Sequence, residues 1–336
     1  MTGSDHAMAK PTLEEVAARA GVSKMTASRA LRGAADVSPE SLARVRATAA
    51  ELGYVRNQLA LSLSSQRTNL VGVVVPSMSN IVFPEVVSGI SAGLEGSPMQ
   101  AVFGISDYDP AREHAIIANM LSWQPSAMIV TGLDQTPDTR ALLAGAGIPV
   151  VQLMDLDGEP IDFNVGLSHG EAGAAMARAL LGTGRRRFAY VGSALEKDIR
   201  AAKRKAGFER ALAERGMSLV AEAIAPDFSS ISLGKTLTTS LIDAHHDLDC
   251  IYYSNDDMAA GGLFALMERG IAVPDIILPA GFNGLDFVAA LPVHIATSRS
   301  PRRQIGRTAA EVALKAIAGD TSRMDRIYRF EPEVLL

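Results

Sequence analysis

Hydrophobic side chains recur at helical spacing in three short segments near the start of the chain. In the first segment the positions i, i+3, i+4 and i+7 are apolar and are occupied by Leu13, Val16, Ala17 and Ala20. Thr12 and Glu15 have the spacing of a capping box, which predicts that a helix begins directly after Thr12. Gly21 is placed to end this helix, and Ser23 is placed to cap a second one over residues 24–31.

A third helix is predicted to begin at Pro39, after the capping residue Ser38, and to end at Gly53. Two short helices joined by a Gly-containing turn and braced by a third indicate a helix-turn-helix, whose second helix fits the major groove of DNA. The side chains predicted to lie on the outer face of the second helix are Lys24, Met25, Ser28 and Arg29. An exposed Met25 favours contact with DNA over the alternative, a helical bundle that only covers the rest of the chain.

From residue 70 onward, short β-branched runs alternate with helical patterns. The runs predict strands over residues 70–75, 100–105, 127–131, 150–153, 163–167, 188–192, 219–224, 250–254 and 276–282. The intervening patterns predict helices over residues 84–94, 111–121, 139–144, 170–180, 203–215, 232–244 and 258–269. Such alternation specifies parallel sheets covered by helices, and there are too many units for a single sheet. We therefore expect two lobes with a ligand cleft at the carboxyl ends of their strands.

Charge is distributed unevenly over the 336 residues. Residues 1–67 hold nine Lys and Arg against six Asp and Glu, a net charge of +3, and the remainder holds 23 against 31, a net charge of -8. A slightly basic N-terminal part on an acidic body is consistent with one small domain meeting a polyanion. Cys250 is the only cysteine, so no intrachain disulfide can form, which fits a reducing compartment. Without a signal-peptide pattern or a long apolar run, we expect a cytoplasmic protein with no membrane contact.

Several short motifs resemble catalytic signatures but lack their context. Residues 89–93 fit the G-x-S-x-G pattern of hydrolases, yet they lie within a helical pattern and not at a turn between a strand and a helix. Gly234, Lys235 and Thr236 resemble the end of a phosphate-binding loop whose earlier glycine position is occupied by Ser229. Adjacent histidines at 245 and 246 point apart on a helix. We predict no catalytic residue, no metal site and no cofactor.

Residues 12–63 contain the strings LEEVAARAGVSKMTASRAL from residue 13, VSPE from 37, LGY from 52 and NQLALSL from 57. These strings resemble the headpiece of the LacI family of transcription regulators. The resemblance implies a hinge helix that folds against its dimer mate on operator DNA, with Leu63 wedged into a minor-groove base step. The alternative for residues 59–63 is an amphipathic linker packed on the core. The DNA-binding residues that the resemblance implies are Thr12, Ser23, Lys24, Met25, Thr26, Ser28, Arg29, Asn57, Ala60 and Leu63.

The core contains the strings PSMSNIVFPEV from residue 76, MLSW from 120, GIPVVQLMD from 147 and SNDDMA from 254. It is similar to the LacI-family core, itself related to periplasmic sugar-binding proteins, and most similar to the gluconate-operon repressor branch. The effector-binding residues that this implies are Phe83, Ser168, Arg204, Phe228, Asn255, Asp256 and Asn283. Asp256 would accept hydrogen bonds from ligand hydroxyls or act only as a helix cap, and Arg204 would face a carboxylate or lie on a solvated helix face. The FNGLD segment from residue 282 departs from the versions associated with this branch.

The predicted fold class is α/β, with an N-terminal helix-turn-helix headpiece and a two-lobed, periplasmic-binding-protein-like core of parallel sheets. The expected domains are a headpiece over 10–56, a hinge over 57–69, and a core over 70–336. Lobe 1 is expected at about 70–160 and 296–318, and lobe 2 at about 161–292 and 319–336. The predicted function is a repressor whose affinity for double-stranded operator DNA is set by a sugar-acid effector, acting as a homodimer or a higher oligomer. The alternatives are a carbohydrate-binding protein and a small-carbohydrate enzyme.

Overall fold

The computed structural model describes residues 11–34, 36–55, 68–319 and 321–336. The chain divides into two compact units, Met1–Thr68 and Asn69–Leu336, which we call the headpiece and the core. The predicted hinge residues Asn57, Ala60 and Leu63 lie outside the described residues.

The headpiece contains the three predicted helices, α1 (Leu13–Arg19), α2 (Lys24–Leu31) and α3 (Pro39–Glu51). The capping box before α1 is present, because the Thr12 hydroxyl accepts from the Glu15 N–H and the Glu15 carboxylate accepts from the Thr12 N–H. The apolar positions of the three helices form one small core, whose buried members are Val16, Ala17, Ala20, Ala27, Ala30, Val45 and Ala49. The helical pattern in the sequence therefore places the inward faces correctly.

The core alternates strands and helices. The strands are β1 (Leu70–Val75), β2 (Gln100–Ile105), β3 (Ala127–Thr131), β4 (Val150–Leu153), β5 (Phe163–Gly166), β6 (Phe188–Ser193), β7 (Ala221–Ala225), β8 (Cys250–Tyr253), β9 (Leu278–Ala280), β10 (Thr297–Arg299), β11 (Ile327–Arg329) and β12 (Glu333–Leu335). The helices are α4 (Val82–Leu94), α5 (Pro110–Ser122), α6 (Pro137–Ala144), α7 (His169–Gly182), α8 (Ile199–Ala213), α9 (Ile231–Ala244), α10 (Asp256–Glu268) and α11 (Arg302–Ile317). Among the described residues, no helix combines the length and the apolar character needed to cross a bilayer.

The strands form two parallel sheets, one in each lobe. Lobe 1 holds a six-stranded sheet in the order β11-β5-β4-β3-β1-β2, and lobe 2 holds a four-stranded sheet in the order β7-β6-β8-β9. A short antiparallel pair, β10 with β12, extends lobe 2, because bridges join Ala296 to Ala280 and Arg299 to Asn283. The carboxyl ends of strands from both sheets face one cleft, as expected for sheets of this type.

Glycines bring three pairs of core helices into backbone contact. A Cβ atom on Gly89 of α4 would lie 2.1 Å from the carbonyl oxygen of Arg303 in α11, and one on Gly261 of α10 would lie 2.0 Å from that of Ile231 in α9. A Cβ on Gly173 of α7 would lie 1.9 Å from the Arg204 carbonyl oxygen in α8. The G-x-S-x-G motif is therefore part of a helix contact, and the Gly173 contact fixes the turn of α8 that carries Arg204.

The lobe boundaries expected from the sequence need correction. Strands β5 and β11 belong to the sheet of lobe 1, although both were expected in lobe 2. Residues 296–318 were expected in lobe 1. Within this segment strand β10 belongs to lobe 2, and helix α11 packs against α4 of lobe 1. The chain crosses between lobes after β5, β10 and β11. A strand's own pattern does not record which sheet it joins, because the partner strands are distant in sequence.

Candidate DNA-binding and effector sites

Helix α2 presents the predicted DNA-contacting side chains on its outer surface. Met25 is 70% exposed, and the Lys24 and Arg29 side chains are 60% and 44% exposed. Ser23 caps the helix by accepting from the Thr26 N–H at 3.0 Å, and the hydroxyls of the two residues lie 2.8 Å apart. The exposed Met25 side chain is suited to contact a thymine methyl group, and Lys24 and Arg29 are suited to bind phosphate or guanine.

Both cations of α2 are paired with acids on the headpiece surface. Lys24 contacts Glu14 and Arg29 contacts Asp36. The hydrogen bond from Lys24, with its charge, lowers the pKa of Glu14. Exposed ion pairs of this kind contribute little to stability, so both cations can exchange their partners for phosphate at small cost.

In the core, four of the seven predicted effector residues line one small inner cavity. Its volume is about 30 Å³, and its lining includes Phe83, Arg204, Asn255 and Asn283. Asn255 lies at the end of β8, where its side chain caps α10 by accepting from the Met258 N–H at 3.0 Å. A volume of this size holds one or two water molecules, so a sugar needs the neighbouring space as well.

That neighbouring space is a vestibule of about 760 Å³. It is lined by Phe228, which is 54% exposed, lies 5.5 Å from the Tyr108 ring between centroids, and has the Lys197 ammonium 5.2 Å from its ring centroid. Tyr108 and Arg200 line both spaces, so the two spaces adjoin at these side chains. The volume of the vestibule is within the range of ordinary small-molecule sites.

Arg204 is held firmly at the inner cavity. Its Nη1 donates to Nδ1 of His169 at 3.0 Å, its Nη2 donates to the Ser254 carbonyl at 2.9 Å, and its guanidinium carbon lies 4.1 Å from the Phe282 ring centroid. Burial, and then the charge of Arg204, hold the pKa of His169 well below its usual range, so this ring is neutral. A neutral ring that accepts at Nδ1 carries its proton on Nε2, which then donates to the Met154 carbonyl at 2.8 Å.

Two predicted effector residues do not line either space. Asp256 is completely buried; its Oδ2 accepts from the Leu285 N–H at 2.8 Å and its Oδ1 from the Thr297 hydroxyl at 2.6 Å. Burial raises the pKa of Asp256 to about 6. Ser168 caps α7 by accepting from the Glu171 N–H at 3.0 Å. Asp256 thus supports the 283–285 loop at the cavity edge, and Ser168 begins the helix that carries His169.

Eight residues that line the inner cavity were not among those predicted, namely Asn80, Val82, Tyr108, Met154, His169, Asp198, Arg200 and Phe282. Arg200 was open to detection, because it precedes Arg204 by one helical turn and so shares its face of α8. His169 reaches Arg204 only through the close α7–α8 contact at Gly173, and Tyr108 follows β2 in a left-handed backbone conformation with φ of 58°. Neither arrangement has a signal in the sequence.

The described residues contain no group of three or more His, Cys, Asp or Glu side chains placed to hold a metal ion. The only cysteine, Cys250, is buried in β8, and burial raises the pKa of its thiol. The polar groups at the cleft are suited to binding a polyhydroxylated or anionic ligand by hydrogen bonds and charge.

A three-helix DNA-binding headpiece joined to a two-lobed core with a ligand cleft defines a DNA-binding transcriptional regulator. Residues 12–57 match the model of bacterial regulatory proteins of the lacI family, and residues 68–330 match that of periplasmic binding proteins and the sugar binding domain of the LacI family. The chain belongs to the LacI family.

Similar proteins agree over nearly the whole length. The HTH-type transcriptional regulator GntR of Pseudomonas aeruginosa is 41% identical over 315 residues, covering 94% of this chain and 91% of the relative. The crystal structure of a LacI family transcriptional regulator from Silicibacter pomeroyi is 43% identical, with a TM-score of 0.92 over 97% of this chain and 98% of its own. The lac repressor dimer bound to operator has a TM-score of 0.86 over 98% of each chain at 22% identity, and shares the fold.

Proposed function

We propose that this regulator is a repressor whose operator affinity is controlled by a sugar acid of the gluconate type, bound in the cleft between the core lobes. The observation that carries this proposal is the inner cavity, where Phe83, Arg204, Asn255 and Asn283 meet beside a second arginine, Arg200. Two guanidinium groups at a polar cavity favour an anionic ligand over a neutral sugar. The strings shared with the gluconate-operon repressor branch support the same ligand class.

Contacts across the cleft support a mechanism for this control. Lys203 on α8 of lobe 2 donates to Asp134, which follows β3 of lobe 1, at 3.1 Å, and also contacts Asp155, which follows β4. The two lobes are thus linked beside the cavity, and an effector that bridges them changes their relative preference for open and closed forms. A coupling of about 1–3 kcal/mol between the effector and DNA sites gives a 5- to 150-fold change in operator affinity.

On the DNA side, we infer that Lys24, Met25, Ser28 and Arg29 contact base edges and phosphates, with Thr12, Ser23 and Thr26 placing α2. Asn57, Ala60 and Leu63 complete this interface as the hinge. A homodimer would present this surface twice, once to each half-site, because the two-fold symmetry of the protein matches that of a near-palindromic operator. Such a protein acts where the chromosome is, in the cytoplasm, and performs no catalysis.

The experiment is a thermal-shift screen of the full-length protein against D-gluconate, 2-ketogluconate and L-idonate, with D-glucitol and D-glucose as neutral controls. A ligand that binds the folded state raises the melting temperature in a concentration-dependent way. We expect at least one acid to stabilise the protein and to change its affinity for operator DNA. Stabilisation by neutral sugars alone would overturn the sugar-acid assignment.

A further inference from the structure

Two arginines lie side by side on the cleft face of α8. Arg200 and Arg204 are separated by one helical turn, so both side chains point to the same side of the helix. The Arg200 side chain is 13% exposed, Arg204 is 6% exposed, and both line the inner cavity. If the effector is a sugar acid, as proposed above, either arginine could bind its carboxylate, and the internal partners of the two side chains distinguish them.

Arg204 is already committed to acceptors within the protein. Both of its terminal nitrogens donate, one to the His169 ring and the other to the Ser254 carbonyl. Its Nε is also buried, and this atom has no hydrogen-bond partner among the described residues. A carboxylate that approached the terminal nitrogens would compete with these acceptors. Arg204 can therefore donate to a ligand through Nε, but a bidentate bond to a carboxylate would cost it an internal hydrogen bond.

Arg200 has a much looser set of partners. In its ion pair with Asp198, Nη2 and Oδ1 lie 3.8 Å apart, which is longer than a hydrogen bond. Its guanidinium carbon lies 5.6 Å from the Phe83 ring centroid and 6.0 Å from that of Tyr108. Arg200 also donates a hydrogen bond to the Tyr108 hydroxyl, a neutral acceptor that a bidentate carboxylate can replace at the guanidinium edge.

Lys203 pairs with two of the acidic groups near Arg200, since Asp134 and Asp155 both contact its ammonium. The carboxylates left to interact with Arg200 are Asp198 and Glu113, which lines the vestibule. A ligand carboxylate would therefore replace a weakly held internal partner instead of adding an uncompensated charge to a buried site. Because Arg200 also faces the vestibule, a ligand entering from there meets it before Arg204.

We propose that Arg200 binds the carboxylate of the effector and sets the preference for sugar acids over neutral sugars and polyols. In this arrangement Arg204 holds a neighbouring hydroxyl through Nε, and its own position is maintained by the neutral His169. Arg200 lines both the inner cavity and the vestibule, so a ligand whose carboxylate pairs with it can occupy both spaces.

The test compares full-length wild-type protein with Arg200→Gln, Arg204→Gln and the control Lys235→Gln, which removes a cation of α9 that pairs with Glu268 and lines neither space. Calorimetry measures the dissociation constants of D-gluconate, 2-ketogluconate, L-idonate and D-glucitol, which has an alcohol in place of the gluconate carboxylate. For Arg200→Gln we expect the bound acid to weaken by about 30-fold or more, because a buried charge pair is lost. The dissociation constant of D-glucitol should change by less than about 3-fold in Arg200→Gln, as should that of every ligand in Lys235→Gln.

The outcomes separate this inference from the proposed function. A wild-type protein that binds none of the three acids contradicts the proposed function itself. The role of Arg200 alone is overturned if the wild type binds an acid and Arg200→Gln has the same ratio of acid to D-glucitol dissociation constants as the wild type. Loss of that ratio in Arg204→Gln only would assign the carboxylate to Arg204. In the absence of ligand, Arg200→Gln should bind operator DNA with the affinity of the wild type. This result would show that the variant is folded.

Discussion

In the headpiece the side chains proposed to contact bases and phosphates lie on one exposed helix of eight residues. In the core the residues that line the inner cavity come from segments between Asn80 and Asn283 that are distant in sequence. The headpiece side chains have surface ion pairs that other anions can replace. The core side chains have internal hydrogen bonds that support the fold, as Arg204 and Asp256 show. A substitution in the headpiece should therefore affect function with little effect on stability, while one in the core should affect both.

The largest effect is expected for Arg29→Ala. A bidentate contact to a base contributes about 1–3 kcal/mol, and a homodimer makes it twice, so operator affinity should fall by about 30-fold or more. Unfolding free energy should change by less than about 1 kcal/mol, because the Arg29–Asp36 pair is exposed. Gel shifts and urea unfolding measure the two quantities.

The matched control is Arg44→Ala, since Arg44 is another exposed headpiece arginine in a surface ion pair, with Glu40 on α3. Equal losses of operator affinity in both variants would mean that general headpiece charge, and not the α2 surface, binds the operator.

A change in both stability and effector response is expected for Asp256→Ala. The substitution leaves the buried Leu285 N–H and Thr297 hydroxyl without their acceptor, which should reduce the unfolding free energy by about 2–4 kcal/mol. Operator binding should persist, and its response to the sugar acid should be lost because the loop at the cavity edge loses its support. Exposed Asp275 provides the control, Asp275→Ala, and equal stability and response in the two variants would contradict the structural role of Asp256.

The smallest effect concerns pH and Asp256. Burial raises the pKa of this carboxyl to about 6 in the folded protein, above its ordinary value of 3.8, so the folded state holds the proton more tightly. Its contribution to stability therefore increases as the pH falls through about 6. Between pH 7 and pH 5 wild type should gain about 1 kcal/mol relative to Asp256→Asn. Denaturant unfolding of both proteins at the two pH values measures this difference, and a constant difference would show that Asp256 does not titrate there. The headpiece carries the opposite shift, since Lys24 lowers the pKa of Glu14.

The sequence predicted the helices of the headpiece and most elements of the core with close bounds, and β1 to β4 agree at both ends. The resemblance to the LacI family implied Phe83, Arg204, Asn255 and Asn283 as effector residues, and the fold brings these four to one cavity. The helices and strands were predictable because caps, apolar periodicity and strand-forming runs act over a few neighbouring residues. The outer face of α2 was predictable for the same reason.

The tertiary structure alone decided which sheet each strand joins and which partner each buried polar group finds. β5 and β11 pair in lobe 1 although their paired residues Gly166 and Arg329 lie 163 residues apart in the sequence. Asp256 bonds Leu285 and Thr297, and Arg204 bonds His169, across separations of 29, 41 and 35 residues. The difference in freedom between Arg204 and Arg200 follows from those long-range contacts, so no local pattern could have shown it.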